Sequence, residues 1–245
     1  MVIKIIIEEE EKINFSESIF LTGFHGLGWT GYIAIRHIIK TTGVNRIGYI
    51  LGDMMPDIIS IEEERLTLPY EFHKYKNLII FQPPFQPILL EQYKIAEQQK
   101  IIQKLAEWIV ESNLKEAILL GGLDSRFQKN SEQLRILSTR AFRRVKEFKI
   151  PFLERGLLVR GPLALLLTHL EMLNFPALVI LPYASADRPD PAAAAVAIDF
   201  LNKHYQLGIS TSQLQTDALK IENEIAEILR QERERTEREP RDMYI

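Results

Sequence analysis

Apolar residues along this chain fall into short continuous runs that alternate with stretches of helical spacing. Val2 to Ile7 predicts an opening strand at a sheet edge. Ser18-Ile19-Phe20-Leu21-Thr22 predicts a buried strand that runs into a glycine loop, Gly23 to Gly31. Tyr32, Ile35, Ile38 and Ile39 then recur at helical intervals, and Gly43 supplies the stop. Ile47 to Leu51 predicts the second strand of a β-loop-α-β unit, with a right-handed connection. Short strands are expected between Ile58 and Gln82, Leu66 to Leu68 and Leu78 to Phe81 being the clearest. Pro83 to Pro87 reads as a rigid loop. Ile88 to Asn113 reads as a long helix with Tyr93, Ile101, Leu105, Trp108 and Ile109 facing inward.

The second half repeats this alternation. Ala117 to Leu120, all apolar and bounded by Gly121-Gly122, predicts a central parallel strand. Ser131 to Phe148 reads as a helix outside the sheet, rich in arginine. Gly156 to Gly161 is a loop, and Pro162 suits the first position of a helix carrying Leu163, Leu166, Leu167 and Leu170. Ala177 to Leu181 predicts another central strand. Ala192 to His204 predicts a helix whose small side chains allow close packing. Leu214, Leu219, Ile221, Ile225, Ile228 and Leu229 predict a last amphipathic helix ending near Arg230. The expected fold is therefore α/β, a mostly parallel sheet with helices on both faces and a C-terminal helix.

The pattern stops abruptly after Arg230. Gln231 to Asp242 contains no apolar residue, and its four arginines nearly balance five acids. Such a run cannot build a core, and Pro240 ends any helix. We expect residues 1–230 to form one domain and residues 231–245 a flexible charged strap, which would span about 50 Å if fully extended. The strap ends in Met243-Tyr244-Ile245. This tip has three handles: an apolar side chain, an aromatic ring whose hydroxyl needs a partner once buried, and the terminal carboxylate.

Composition narrows the function classes. The 245 residues are 46% hydrophobic and 26% charged, with a net charge of −3. No basic excess points to nucleic acid or an anionic membrane. The chain has no cysteine, which excludes disulfides, thiolate metal sites and cysteine catalysis. The five histidines, His25, His37, His73, His169 and His204, show no metal-ligand spacing. The N-terminus does not read as a secretory signal, and no apolar stretch is long enough to span a bilayer. A cytoplasmic protein is expected, with no cofactor and no metal.

Two stretches carry candidate enzyme chemistry. Gly26-Leu27-Gly28-Trp29-Thr30-Gly31 fits the G-x-G-x-x-G pattern between a strand and a helix. Asp53 lies about 20 residues further on, the spacing of a ribose-binding acid. The alternative function is therefore a nucleotide-binding enzyme using Gly26, Gly28, Gly31 and Asp53. The plainer reading is a tight turn with close helix packing. Asp124 and Arg126 follow a strand end and, with Arg155, Arg160 or His169, would suit a purine- or phosphate-processing site. Their plainer reading is a turn cap and surface arginines. Arg140, Arg143 and Arg144 read as a solvated face, or as contacts to an acidic partner.

Several of these pieces together resemble the proteasome assembly chaperones. They are Gly23-Phe24-His25-Gly26-Leu27-Gly28 with Gly31, Leu119-Leu120-Gly121-Gly122, Arg155-Gly156-Leu157-Leu158 with Gly161-Pro162, and Pro189-Asp190-Pro191 before the alanine-rich helix with Leu201-Asn202-Lys203. At His25 and Trp29 the family more often carries proline and a smaller residue. The resemblance implies a phosphorylase-like α/β core and no catalytic activity. It also implies binding to the α-ring of the 20S proteasome through a hydrophobic-Tyr-X tail, here Met243, Tyr244 and Ile245. A homo-oligomer is expected, because several weak tails gain avidity by docking together.

Overall fold

Burial explains why the central runs become strands. In Ile19–Gly23 (β2) all five residues are buried. The same holds for Leu78–Gln82 (β7), Glu116–Leu120 (β8) and the eight residues of Ala177–Ala184 (β11). Alternate residues of each strand enter opposite cores: Leu21, Ile80, Ile118 and Ile180 face one layer, Phe20, Phe81, Leu119 and Val179 the other. A strand covered on both faces needs apolar residues throughout, which is the pattern in the sequence. The computed structural model describes residues 2–8, 13–53, 55–56, 59–62, 65–84, 95–129 and 131–223.

The remaining strands are Ile3–Ile7 (β1), Arg46–Gly52 (β3), Ser60–Glu62 (β4), Arg65–Thr67 (β5), Glu71–Tyr75 (β6), Leu123–Asp124 (β9) and Leu134–Ser138 (β10). The main sheet runs β1-β3-β6-β7-β2-β8-β11-β10, with β9 continuing beside β11. Its centre, β7-β2-β8-β11, is parallel, and both margins are antiparallel. β4 and β5 pair antiparallel as a separate two-stranded sheet. Helices Thr30–Thr42 (α1) and Pro191–Tyr205 (α4) cover one face, Ile95–Glu111 (α2) and Pro162–Met172 (α3) the other. Residues 212–223 are helical (α5), and Leu214 packs into the layer of α1 and α4. The α/β architecture with helices on both faces is as expected.

One element differs from its sequence reading. Ser131 to Phe148 is not a helix: β10 occupies Leu134–Ser138 and pairs antiparallel with β11, and a 3₁₀ segment follows at Arg143–Phe148. Leu134/Leu137 and Val145/Phe148 mimic helical spacing, but Leu134 and Ile136 point together into the core, a period of two. Arg135, between them, is buried against Glu154 at 3.0 Å and lies over the Tyr183 ring. A charged side chain at a buried strand position hides the alternation from sequence. Of the arginines expected on a solvated face, Arg140 pairs with Glu171 and Arg144 with the buried Glu116.

Candidate functional site

The glycine loop is built by close packing. Gly28 has φ 62° and Trp29 φ 51°, so the chain turns left-handed twice before α1 begins. A Cβ on Gly31 would lie 2.1 Å from the Leu120 carbonyl oxygen, and one on Gly28 2.8 Å from the Ala184 Cβ. The loop therefore sits directly on the carboxyl ends of β8 and β11. Its conformation is held by the Trp29 amide donating to the Gly26 carbonyl at 2.9 Å and by Thr30 Oγ1 donating to the Leu27 carbonyl at 3.0 Å.

Asp53 is not near this loop. β3 lies three places from β2, across β7 and β6. Asp53 instead accepts the Val2 amide at 2.7 Å, and its own amide donates to the Val2 carbonyl at 3.3 Å, closing the β1–β3 margin. In a dinucleotide fold the ribose-binding acid ends the strand adjacent to the glycine loop. The structure thus brings Gly26, Gly28 and Gly31 together but leaves Asp53 apart; backbone packing explains Gly31 and a positive φ with close packing explains Gly28, while a Cβ on Gly26 would meet nothing within 4 Å.

A cavity of about 750 Å³ opens beside the loop. β8 pairs with β2 up to Leu120, breaks at Gly121-Gly122, and resumes as β9 alongside β11 only. The gap between Phe24-Leu27 and Leu123-Asp124 is that cavity, and residues 156–163 close its far side. Asp124 and Arg126 line it, as does Arg160; Arg155 and His169 are not among its walls. Asp124 accepts the Arg126 amide at 2.9 Å and Arg126 Nε at 3.0 Å. The Arg126 guanidinium beside it holds the Asp124 carboxyl below the usual carboxylate range. His25, stacked on Tyr32 at 3.9 Å, also lines the cavity, and burial lowers its pKa to about 4. Asp124 is thus a fixed carboxylate and His25 a neutral ring, and neither is tuned as an acid or base near pH 7.

Sequence reasoning raised Asp124, Arg126 and Arg160 within one candidate set and the glycine loop within another, and missed that they share one cavity. The available signal was positional: the glycine loop and Gly121-Gly122 each follow a central parallel strand, and such strand ends converge. Three of the other histidines serve structure. His37 Nε2 bonds with the Ser210 carbonyl at 2.7 Å, His204 packs on Phe148 and Phe200, and the buried His73 lies 3.3 Å from Glu71. The tail candidates, Met243, Tyr244 and Ile245, lie outside the described residues.

The PAC2 family model matches residues 20–229. The chain belongs to the PAC2 family. The crystal structure of Pyrococcus furiosus PbaA, an archaeal homolog of proteasome-assembly chaperone, superposes with a TM-score of 0.77 at 25% identity, over 100% of both chains. Pyrococcus furiosus PbaB, an archaeal proteasome activator, gives 0.73 at 18% identity, over 92% of this chain and 98% of that one. An uncharacterized protein of Methanocaldococcus jannaschii is 28% identical over 233 residues, 91% of this chain and 90% of its own. The family span stops before the last residues of the chain.

Proposed function

We propose that this chain is a non-enzymatic proteasome assembly chaperone or activator that docks on the α-ring of the 20S proteasome. Met243 fills an apolar slot between α-subunits, the Tyr244 hydroxyl finds a polar partner there, and the Ile245 carboxylate pairs with a cation or backbone amides. The α/β body then rests on the ring surface. The observation that carries this reading is the likeness to PbaA along the whole length of both chains, joined to the Met-Tyr-Ile ending of the sequence.

Two features support it. The charged, apolar-free stretch Gln231 to Asp242 suits a linker that must stay in water. Asp124 and His25, two titratable groups lining the cavity beside the glycine loop, are held away from neutral pKa values. A single three-residue plug binds weakly, so the reading includes a homo-oligomer whose tails together gain roughly 10² to 10⁴ in avidity. The test is a C-terminal extension. Adding residues beyond Ile245 displaces the carboxylate and leaves the body unchanged, so ring binding should fall sharply. Wild-type binding by the extended chain would overturn the reading.

A further inference from the structure

We propose that the cavity between β2 and β9 is a binding site for a small amphipathic monoanion, an acyl or aryl body bearing one carboxylate. The position comes first. From β2 the chain leaves through α1 toward β3; from β8 it leaves the opposite way, toward β10 and β11. The crevice between β2 and β8 is therefore the point where the winding reverses, and open α/β sheets bind ligands at that point, outside the strand carboxyl ends. The volume of about 750 Å³ lies within the range of small-molecule pockets.

The walls define the body of the ligand. Phe24, Leu27, Leu123, Leu157 and Leu163 supply an apolar lining. Leu158 stands at the mouth with 76% of its surface exposed. An apolar side chain held there gains burial when a ligand enters.

The charges define the head group. Arg160 lines the cavity and has no ion-pair partner among the described residues. Arg126 spends Nε and Nη2 on Asp124, which aims the guanidinium and leaves Nη1 available to donate. α3 begins at Pro162 in the same wall, and no side chain caps its first turn. Against these stand Asp124 itself and Asp187, whose field reaches Arg126. Asp187 lies outside the lining, so within it Arg126 is offset by Asp124 and Arg160 remains as the one uncompensated cation; with the helix start added, this suits a single negative charge better than a polyphosphate. Arginine forks match a carboxylate geometrically.

The test is calorimetric titration of the full chain at low ionic strength with octanoate and 3-phenylpropionate, each paired with its neutral amide. The expected result is saturable binding of one carboxylate per chain, with the amide about tenfold weaker, as loss of one charge-assisted bond implies. Arg160→Gln and Arg126→Gln should each weaken the carboxylate several-fold and leave the amide unchanged. Leu158→Asp, at an exposed position, should weaken both probes without lowering the melting temperature. The proposal is overturned by equal affinity for carboxylate and amide, by an Arg160→Gln variant that binds octanoate like the parent chain, or by no saturable binding of either acid.

Discussion

The backbone amide of Asp190 donates to the Gly28 carbonyl at 2.8 Å. The glycine loop and the Pro-Asp-Pro turn are distant in sequence, and they form one structural unit. Asp190 also works through its side chain: Oδ1 accepts the Ala193 amide and Oδ2 the Ser185 amide, both at 2.9 Å. It caps α4, with Pro191 in the first helical turn, and ties the end of β11 to that cap. The two motifs are therefore tied to one another by shape, apart from any catalytic use.

Asp190→Ala removes the cap and the link to Ser185 together. A lost cap alone costs about 0.5–2 kcal/mol, so the urea midpoint should fall by an amount at or above the upper end of that range. Asp190→Asn, which keeps an acceptor for Ala193, should recover part of the loss.

Glycine substitutions separate packing from backbone freedom. Gly31→Ala places a methyl 2.1 Å from the Leu120 carbonyl oxygen, so helix and strand must part; overpacking of this kind costs about 1–3 kcal/mol or more. Gly43→Ala meets nothing within 4 Å but must hold φ 60°, a cost of about 1 kcal/mol. Equilibrium unfolding should rank Gly31→Ala as the more damaging. A reversed order would mean that the loop does not seat on β8 as described.

Acid should destabilise the fold through its histidines. Burial lowers the His25 pKa from 6.5 to about 4, and burial is also the largest cause lowering that of His204. The unfolded chain then binds these protons first, so stability is complete above about pH 6.5 and is lost as pH falls toward 4. The urea midpoint should drop over that window, and His25→Phe should flatten part of the slope.

Much of the sheet was legible because its centre is covered on both faces. Phe20, Leu21, Ile118, Leu119, Val179 and Ile180 are fully buried, and the shortness of their all-apolar runs, with glycine or proline flanking them, favours strand over helix. Gly43 and Pro162 marked helix ends by backbone chemistry alone. The margins were harder. β10 carries a buried arginine, and its ion pair with Glu154 is a tertiary fact invisible to periodicity. The cavity was legible only in parts, since Gly26, Asp124 and Arg160 converge through strand order and not through spacing. Asp53 had the right distance along the chain and the wrong place in the sheet.

Tyr244→Phe tests the aromatic handle. Loss of the hydroxyl leaves its pocket partner unpaired, at about 1–3 kcal/mol, so α-ring binding should weaken by about tenfold or more while the melting temperature stays unchanged. Sedimentation of the same sample should show an oligomer. A strict monomer that binds rings tightly would contradict the role given to avidity.

The central claim is tested most directly by measuring binding of the chain to intact 20S particles and to isolated α-rings, with and without its last three residues. The account predicts that the chain ending at Asp242 loses binding while its fold is unchanged. Preference of the full chain for free α-rings would identify an assembly role, and preference for complete particles an activator. Equal binding by the full and shortened chains, or no binding by either, would contradict it.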